Sequence, residues 1–208
     1  MIKYEKIFED SIKTFPMLQV KDEFLKFLEY VDVIIKPQNI MEIGLCDGAT
    51  FWCWQSICRD GGIKVGIDLP NANFSNSTTK TYFELAVTKQ RLEIYKPNTH
   101  IFFNNSHEKQ TIDWVEKTLN GTKLDFLFID GDHSTEGVIK DWVNWSKFVV
   151  EGGIVVFHDE PIETVRLGME QSVRKSEFME WASLEDRRWV AFVRPGKVWW
   201  QALAKPAF

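Results

Sequence analysis

The chain has 208 residues, 44% of them hydrophobic, which is enough for one domain with a sizeable core and too apolar for a disordered protein. Its 25 basic and 30 acidic residues give a net charge of −5, which disfavours a protein that binds nucleic-acid phosphates. The N-terminus lacks an apolar signal segment, and no stretch approaches the ~20 apolar residues of a membrane span. The three cysteines show no CxxC spacing and no histidine pair completes a zinc site, so we expect buried thiols in a cytoplasmic protein: Cys46, Cys53 and Cys58.

The middle of the chain alternates between two kinds of apolar pattern. Helical spacing runs over residues 21–35 and ends before Pro37. Short apolar runs rich in β-branched and aromatic residues then predict strands beginning near positions 40, 63, 100, 124 and 153. Stretches of helical character separate or follow them at 49–59, 79–95, 107–119, 135–149 and 161–175. Five alternations of strand and helix predict a parallel sheet covered by helices on both faces.

The C-terminal part has a different pattern. Two strand-like runs, "EFMEWAS" and "RRWVAFVRP", are joined by a connection short enough for an antiparallel hairpin. With no linker and no internal repeat, the sequence predicts one three-layer α/β domain whose mostly parallel seven-stranded sheet is closed by this hairpin. Its parts are N-terminal helices in 1–37, a core in 38–195 and a tail in 196–208. The apolar tail favours self-association, and the irregular run 69–80 is a long loop of the kind that is often functional.

Glycines follow the first predicted strand, where ligands bind in open α/β sheets. "MEIGLCDGAT" places Glu42, Gly44 and Gly48 in an E-x-G-x-x-x-G pattern, whose glycines let the backbone turn tightly and approach a ligand. An ordinary turn between strand and helix uses the same glycines, so the motif alone leaves ligand binding open. The dinucleotide fingerprint G-x-G-x-x-G is absent, which disfavours an NAD-dependent oxidoreductase.

Polar residues also end the second and third strands. Asp68 lies about twenty residues beyond the glycine turn, where a carboxylate can accept both hydroxyl protons of an adenosine ribose. The alternative is a turn aspartate next to Pro70. Asn105 and Ser106 offer donors and acceptors to an adenine edge, and Ser106 also suits the N-cap of the next helix.

Carboxylates and imidazoles end the fourth and fifth strands. "LDFLFIDGDH" ends in Asp130 and His133, and "GGIVVFHDE" contains His158 and Asp159. Because neighbouring strands lie ~4.8 Å apart, Asp130 and Asp159 should nearly face each other and either share a proton or hold a divalent cation. A histidine ligand favours Mn²⁺ or Fe²⁺ over Mg²⁺. The alternative is that these aspartates cap helices, a role that fits Asp132 better than Asp130.

The block "FIDGDHSTEGVIKDWVNWSKFVVEGGIVVFHD", residues 128–159, resembles the central block of class I S-adenosylmethionine-dependent methyltransferases. The closest likeness is to the small-molecule O-methyltransferases that include macrocin-type and cephalosporin-hydroxylase-like proteins. It covers roughly residues 38–195, and Thr135 stands where that subgroup usually has tyrosine. The resemblance implies a Rossmann-like methyltransferase fold with S-adenosyl-L-methionine as cofactor. It also implies a small-molecule acceptor, such as a sugar or natural product, methylated on a hydroxyl.

The resemblance also implies roles for particular residues. Around the cofactor it places Glu42, Gly44 and Gly48 at the methionine part, Asp68 at the ribose and Ser106 at the adenine. Asp130, His158 and Asp159 fall where metal-dependent relatives hold Mg²⁺, and His133 falls where some relatives place a general base. His158 departs from the usual ligand pattern, which leaves the need for Mg²⁺ or Mn²⁺ open. Without a metal, His133 and His158 are left as proton acceptors, and the acidic residues, Asp130 among them, also suit the cationic sulfonium.

The sequence leaves two other functions open, and its tryptophans have two possible locations, the core or the ligand pocket. A catalytically silent module that binds a nucleotide or adenosylmethionine is one alternative, and an NAD-dependent oxidoreductase is the other. Most of the nine tryptophans suit a core. Trp52 and Trp54 are candidates for lining the pocket, and Trp142 and Trp145 are candidates for stacking on the acceptor.

Overall fold

The computed structural model describes residues 2–15, 17–69, 96–173, 178–183 and 189–193. The predicted helix at 79–95, the loop from residue 70 onward and the tail 196–208 lie outside these ranges. The described elements are α1 (Ile2–Ile12), α2 (Lys21–Tyr30), β1 (Ile40–Ile43), α3 (Ala49–Ile57), β2 (Lys64–Asp68), β3 (Thr99–Phe103), α4 (Lys109–Leu119), β4 (Leu124–Ile129), α5 (Thr135–Trp145), β5 (Val149–His158), α6 (Glu163–Val173), β6 (Met179–Ser183) and β7 (Trp189–Val193). Among these helices, none is long and apolar enough to cross a membrane.

The strands form one sheet in the order β3-β2-β1-β4-β5-β7-β6. The first five are parallel, which confirms the predicted α/β class, and β7 runs antiparallel to both β5 and β6. The first strand, β1, lies in the middle of this sheet. Strands β2 and β3 follow in order on one side of β1, and β4 lies on its other side. The strand order therefore reverses between β1 and β4, and the crevice above their carboxyl ends is where such sheets bind ligands.

Apolar cores fill both faces of the sheet. Because side chains alternate along a strand, Phe126 and Phe128 of β4 face one core while Leu127 and Ile129 face the other. The first core contains Trp54, whose ring lies 5.0 Å from that of Phe126 and 5.7 Å from that of Phe128, centroid to centroid. Trp54 is thus a core residue, and its assignment to the ligand pocket is wrong.

Helix α5 covers the second core with its own tryptophans. Trp142 stacks on Phe157 of β5 with 5.6 Å between ring centroids, and the Trp145 side chain is fully buried. Val138, Trp142 and Trp145 lie four and three residues apart, so the helical repeat turns all three toward the sheet. The prediction that Trp142 or Trp145 stacks on the acceptor is therefore wrong.

The boundary between α5 and β5 also differs from the prediction. The sequence predicts a helix to residue 149 and a strand from 153, whereas α5 ends at Trp145 and β5 begins at Val149. Val149 pairs with Leu124, and the register then shifts so that Phe126 pairs with Ile154. Gly152, with φ of +84°, accommodates this irregularity within the strand.

Candidate active site

The glycine turn after β1 lies directly against the end of β4. The Gly44 amide donates to the Ile67 carbonyl at 2.9 Å, and the Asp130 amide donates to the Ile43 carbonyl at 2.9 Å. Gly44 has φ of +84°, and a Cβ built on it would lie 1.9 Å from the carbonyl oxygen of Asp130. Gly48, with φ of +90°, precedes the first residue of α3. The turn therefore requires glycine at position 44, and this residue brings the end of β1 into contact with Asp130.

Glu42 is a fully buried carboxyl group in β1, two residues before Gly44. The Thr50 hydroxyl donates to its Oε1, while its Oε2 has no hydrogen-bond partner among the described residues. Burial, reinforced by the charges of Asp130 and Asp68, raises the pKa of Glu42 well above its usual range, although the Thr50 hydrogen bond opposes the shift. The protonated form is therefore favoured until an opposite charge arrives nearby.

Asp68 ends β2 beside the same turn. Its carboxylate accepts hydrogen bonds from the backbone amides of Leu69 and Leu45, and Leu45 directly follows Gly44. Burial raises the pKa of Asp68 to about 7 despite these two hydrogen bonds. The structure thus brings Asp68 to the glycine turn, and its contact with a ribose stays a prediction.

The end of β3 is held by side chains within the protein. The Asn105 Oδ1 accepts from the His107 amide at 2.8 Å, and the Ser106 hydroxyl donates to Asp141 of α5 at 2.6 Å. Helix α4 begins at Lys109, so Ser106 is not its N-cap and that alternative is wrong. Glu108 occupies the N-cap position, and the Ser106 hydroxyl donates its hydrogen bond to Asp141 instead.

Asp141 is a buried polar residue that the sequence analysis missed. It shares a buried stripe of α5 with Gly137 and Trp145, at intervals of four residues. The sequence does contain a signal for it: a carboxylate within an apolar helical stripe is expected to be buried, and a buried charge requires partners.

Asp130, His133, His158 and Asp159 converge at the carboxyl ends of β4 and β5. The Oδ1 of Asp130 lies 3.4 Å from the Nε2 of His133 and 3.2 Å from the Nδ1 of His158. The Oδ2 of Asp159 lies 3.8 Å and 3.3 Å from the same two nitrogens. Each carboxylate therefore faces both imidazoles, as expected from two neighbouring parallel strands.

The loop that carries His133 is fixed on both sides. Asp132 accepts from the Ser134 amide at 2.8 Å, and the Ser134 hydroxyl oxygen caps α5 by accepting from the Gly137 amide at 3.0 Å. Asp132 thus stabilises the entry to the helix, and Ser134 is the N-cap itself. From the other side, the Thr164 hydroxyl donates to the His133 carbonyl at 2.6 Å. These contacts hold the His133 backbone beside Asp130.

Charges in this cluster set one another's pKa values. Burial opposes ionisation of Asp130, but His158 and His133 outweigh it and lower its pKa. Burial likewise opposes the charge on His158, but Asp130 and Asp159 raise its pKa to about 10. The hydrogen bond to Asp130 raises the pKa of His133 against the effect of burial. His158 thus carries a proton at neutral pH and cannot accept another, whereas His133 is also 31% exposed and open to a ligand.

Three of these residues lie close enough together to be considered as ligands of a metal ion. Ligand atoms of Asp130, His133 and Asp159 lie within 4.8 Å of one another, whereas the predicted group contained His158 instead of His133. The protonated His158 already lies between the two carboxylates. Mg²⁺ prefers oxygen ligands in nearly ideal octahedral geometry. Two carboxylates paired with an imidazolium and flanked by a second imidazole do not fit it.

A family model described as a methyltransferase domain matches residues 41–160. This span exceeds half of the chain and runs from β1 past Asp159. The chain belongs to this methyltransferase family. It contains a class I S-adenosylmethionine-dependent methyltransferase domain, which confirms the resemblance found in the sequence.

Solved methyltransferase structures show the same fold. The O-methyltransferase TomG of Streptomyces achromogenes, involved in tomaymycin synthesis and solved with SAM, superposes with a TM-score of 0.61 at 14% identity, covering 91% of this chain and 90% of TomG. The SAH-bound methyltransferase PaMTH1 of Podospora anserina has a TM-score of 0.62 at 13% identity, with coverages of 93% and 87%. An O-methyltransferase of Bacillus cereus in complex with SAH has a TM-score of 0.58 at 15% identity, with coverages of 93% and 89%. At these identities, the likeness concerns the fold.

A sequence relative shares a shorter region. Uncharacterized protein R132 of Acanthamoeba polyphaga mimivirus is 33% identical over 69 residues, which are 33% of this chain and 30% of that protein. The match thus spans less than a third of the relative's length.

Proposed function

We propose that this methyltransferase transfers the methyl group of S-adenosylmethionine to a hydroxyl of a small molecule, with His133 as general base. The observation that carries the proposal is the pairing of His133 with Asp130 at the mouth of the crevice between β1 and β4. The imidazole is partly exposed, and the carboxylate that faces it is mostly buried, with 17% of its side chain exposed. An imidazole oriented by a buried carboxylate is suited to taking a proton from a bound hydroxyl.

The residues around the glycine turn support a cofactor site. Gly44 leaves no side chain between the turn and Asp130, and Asp68 places a carboxylate beside Leu45. The buried Glu42 has an oxygen without a hydrogen-bond partner among the described residues. Three carboxyl groups, Glu42, Asp68 and Asp130, therefore surround the end of β1, and an acidic crevice suits a cationic sulfonium and an ammonium group.

The proposed reaction is an in-line displacement at the methyl carbon. The acceptor oxygen forms a bond to that carbon, and the carbon–sulfur bond breaks with its electron pair going to sulfur, which leaves as the thioether of S-adenosylhomocysteine. In the tautomer that donates Nε2–H to Asp130, the His133 Nδ1 accepts the hydroxyl proton. The nearby carboxylates then stabilise the imidazolium that forms. Alignment of donor and acceptor supplies much of the remaining rate enhancement.

Chelation should leave activity unchanged. Because His158 already neutralises part of the charge of Asp130 and Asp159, we propose that no divalent cation is required for turnover. Turnover measured after dialysis against EDTA should equal that of the untreated enzyme, and added Mg²⁺ or Mn²⁺ should not raise it. Loss of activity on chelation, with recovery on adding Mn²⁺, would contradict this prediction and place a cation at Asp130, His133 and Asp159.

Binding of S-adenosylhomocysteine tests the cofactor assignment. We expect it to raise the melting temperature, and Asp68→Ala to weaken its binding about tenfold or more, because charge-assisted hydrogen bonds to the ribose are worth ~1.5–3 kcal/mol. Ribose hydroxyls bind the ionised carboxylate better than the protonated one. The wild-type affinity should therefore rise as pH increases through about 7, the pKa of Asp68, and this rise should be absent in Asp68→Ala.

Calorimetry against both classes of ligand separates the alternatives. Equal affinities of wild type and Asp68→Ala for S-adenosylhomocysteine would overturn the role of Asp68. A melting temperature raised by NADH but not by S-adenosylhomocysteine would favour an oxidoreductase instead. Cofactor binding without turnover of any acceptor in a broad panel of hydroxylated compounds would favour a catalytically silent module.

A further inference from the structure

Asp141 connects two loops that flank the proposed cofactor crevice. It lies on α5, which follows β4, and its side chain is fully buried. Its Oδ1 accepts hydrogen bonds from the Ser106 hydroxyl at 2.6 Å and from the Trp145 indole N–H at 3.3 Å. The Nε2 of His107 lies 3.2 Å from the same oxygen. Ser106 and His107 belong to the loop after β3, so a single carboxylate joins that loop to α5.

The same carboxylate also lies against the loop that carries Asp130. A Cβ built on Gly131 would lie 3.2 Å from the Oδ2 of Asp141. Asp141 is therefore packed beside the residue that directly follows Asp130, while its other oxygen holds the loop after β3. A substitution at Asp141 would affect both loops. A test of its hydrogen bond to Ser106 therefore needs a measurement that a general disturbance of the two loops would not change.

The bond to Asp141 determines what Ser106 can offer to a ligand. A serine hydroxyl has one proton to donate and two lone pairs to accept with. A carboxylate has no proton of its own, and a buried one requires the hydrogen bonds that its neighbours donate. The Ser106 proton is thus committed to Asp141, and the half-buried Ser106 can act toward a ligand only as an acceptor.

We propose that Asp141 is a positioning residue that orients the Ser106 hydroxyl as a hydrogen-bond acceptor, so that the site selects a base with an exocyclic amine. This inference rests on the proposed function, and with it on the expectation that Ser106 lies by the adenine of the cofactor. Adenine presents an amine at C6, whereas hypoxanthine presents a carbonyl oxygen at the same place. Two acceptors facing each other leave both without a partner, so the hypoxanthine analogue is rejected.

Calorimetric titration of the full chain with S-adenosylhomocysteine and S-inosylhomocysteine tests the proposal. Wild type should prefer the adenosyl ligand by about tenfold, because two acceptors that face each other in the complex both lose their hydrogen bonds. Ser106→Ala should reduce the preference to about threefold or less, and Ser106→Thr should restore it because threonine keeps the hydroxyl.

Asp141→Asn supplies a second, independent variant. The asparagine amide can donate to Ser106, which frees the hydroxyl proton to point toward the base, so the preference should shrink or reverse. Asp113→Asn is the matched control, since Asp113 is an exposed carboxylate of α4 paired with Lys109, and it should keep the wild-type preference. A merely structural role for Asp141 would weaken both ligands equally and leave the ratio unchanged.

The outcomes separate this inference from the proposed function. If wild type binds S-adenosylhomocysteine but does not distinguish the two ligands, or if Ser106→Ala keeps the full preference, the inference is overturned and the function stands. If wild type binds neither ligand, the proposed function is overturned and the inference with it. A preference lost in Ser106→Ala, reduced or reversed in Asp141→Asn, and kept in Ser106→Thr and Asp113→Asn supports the orientation of Ser106 by Asp141, whereas an unchanged ratio in Asp141→Asn overturns it.

Discussion

His133→Ala is expected to lower turnover by about 10²–10⁴-fold while leaving the affinity for S-adenosylhomocysteine unchanged, because a general base typically contributes that much to rate. The imidazole accepts the acceptor's proton and is not expected to contact the cofactor. Turnover is measured with labelled S-adenosylmethionine on a hydroxylated acceptor identified by screening, and affinity is measured by calorimetry. His100→Ala is the control, because His100 is an exposed histidine of β3, and it should keep wild-type turnover.

The pH profile gives a second readout of the same residue. His133 must be unprotonated to act as a base, and its hydrogen bond to Asp130 raises its pKa above the ordinary value of 6.5. The rate should therefore rise with pH through a midpoint above 6.5, and this step should disappear in His133→Ala. If His133→Ala keeps near wild-type turnover and the same pH profile, His133 is a loop residue and the proposed mechanism is wrong.

Gly44→Ala is expected to cost at least twice as much unfolding free energy as Gly121→Ala. Both glycines have φ of +84°, so both substitutions pay the ~1–2 kcal/mol cost of a left-handed alanine. A Cβ at Gly44 would also lie 1.9 Å from the Asp130 carbonyl oxygen, whereas a Cβ at Gly121 would meet no atom within 4 Å among the described residues. The difference between the two variants isolates the contact between the ends of β1 and β4.

Chemical denaturation and ligand titration together check this prediction. Gly44→Ala should also lose affinity for S-adenosylhomocysteine, because the end of β4 must move away from the turn to admit the methyl group. Gly121→Ala, at the turn between α4 and β4, should bind normally. Equal destabilisation by both substitutions would show that the turn and Asp130 are not in contact.

Strand ends were predictable because they depend on local patterns. Apolar runs bounded by polar residues identified the five parallel strands, and the rule that ligands bind at their carboxyl ends selected Asp68, Asp130 and Asp159. The start of β5 was missed because its first residues pair across an irregularity with Leu124. Pairing between strands is not visible in the composition of one of them.

Tryptophan positions were harder to assign. The sequence shows that Trp54 follows a glycine turn and that Trp142 lies on a predicted helix within the block at 128–159. Either position is compatible with a pocket or with a core. The structure shows that both are core residues, because Trp54 packs against Phe126 of β4 and Trp142 against Phe157 of β5.

The sequence by itself determined the class of fold, the methyltransferase family and the set of acidic residues at the strand ends, because these follow from short-range patterns and from the block at 128–159. Only the tertiary structure decided how those groups are paired. It placed His158 between two carboxylates, left His133 as the more exposed of the two imidazoles and directed the hydrogen bond of the Ser106 hydroxyl to Asp141. The physical reason is that a side chain's protonation and hydrogen bonds depend on burial and on neighbours from distant segments, which only the folded chain brings together.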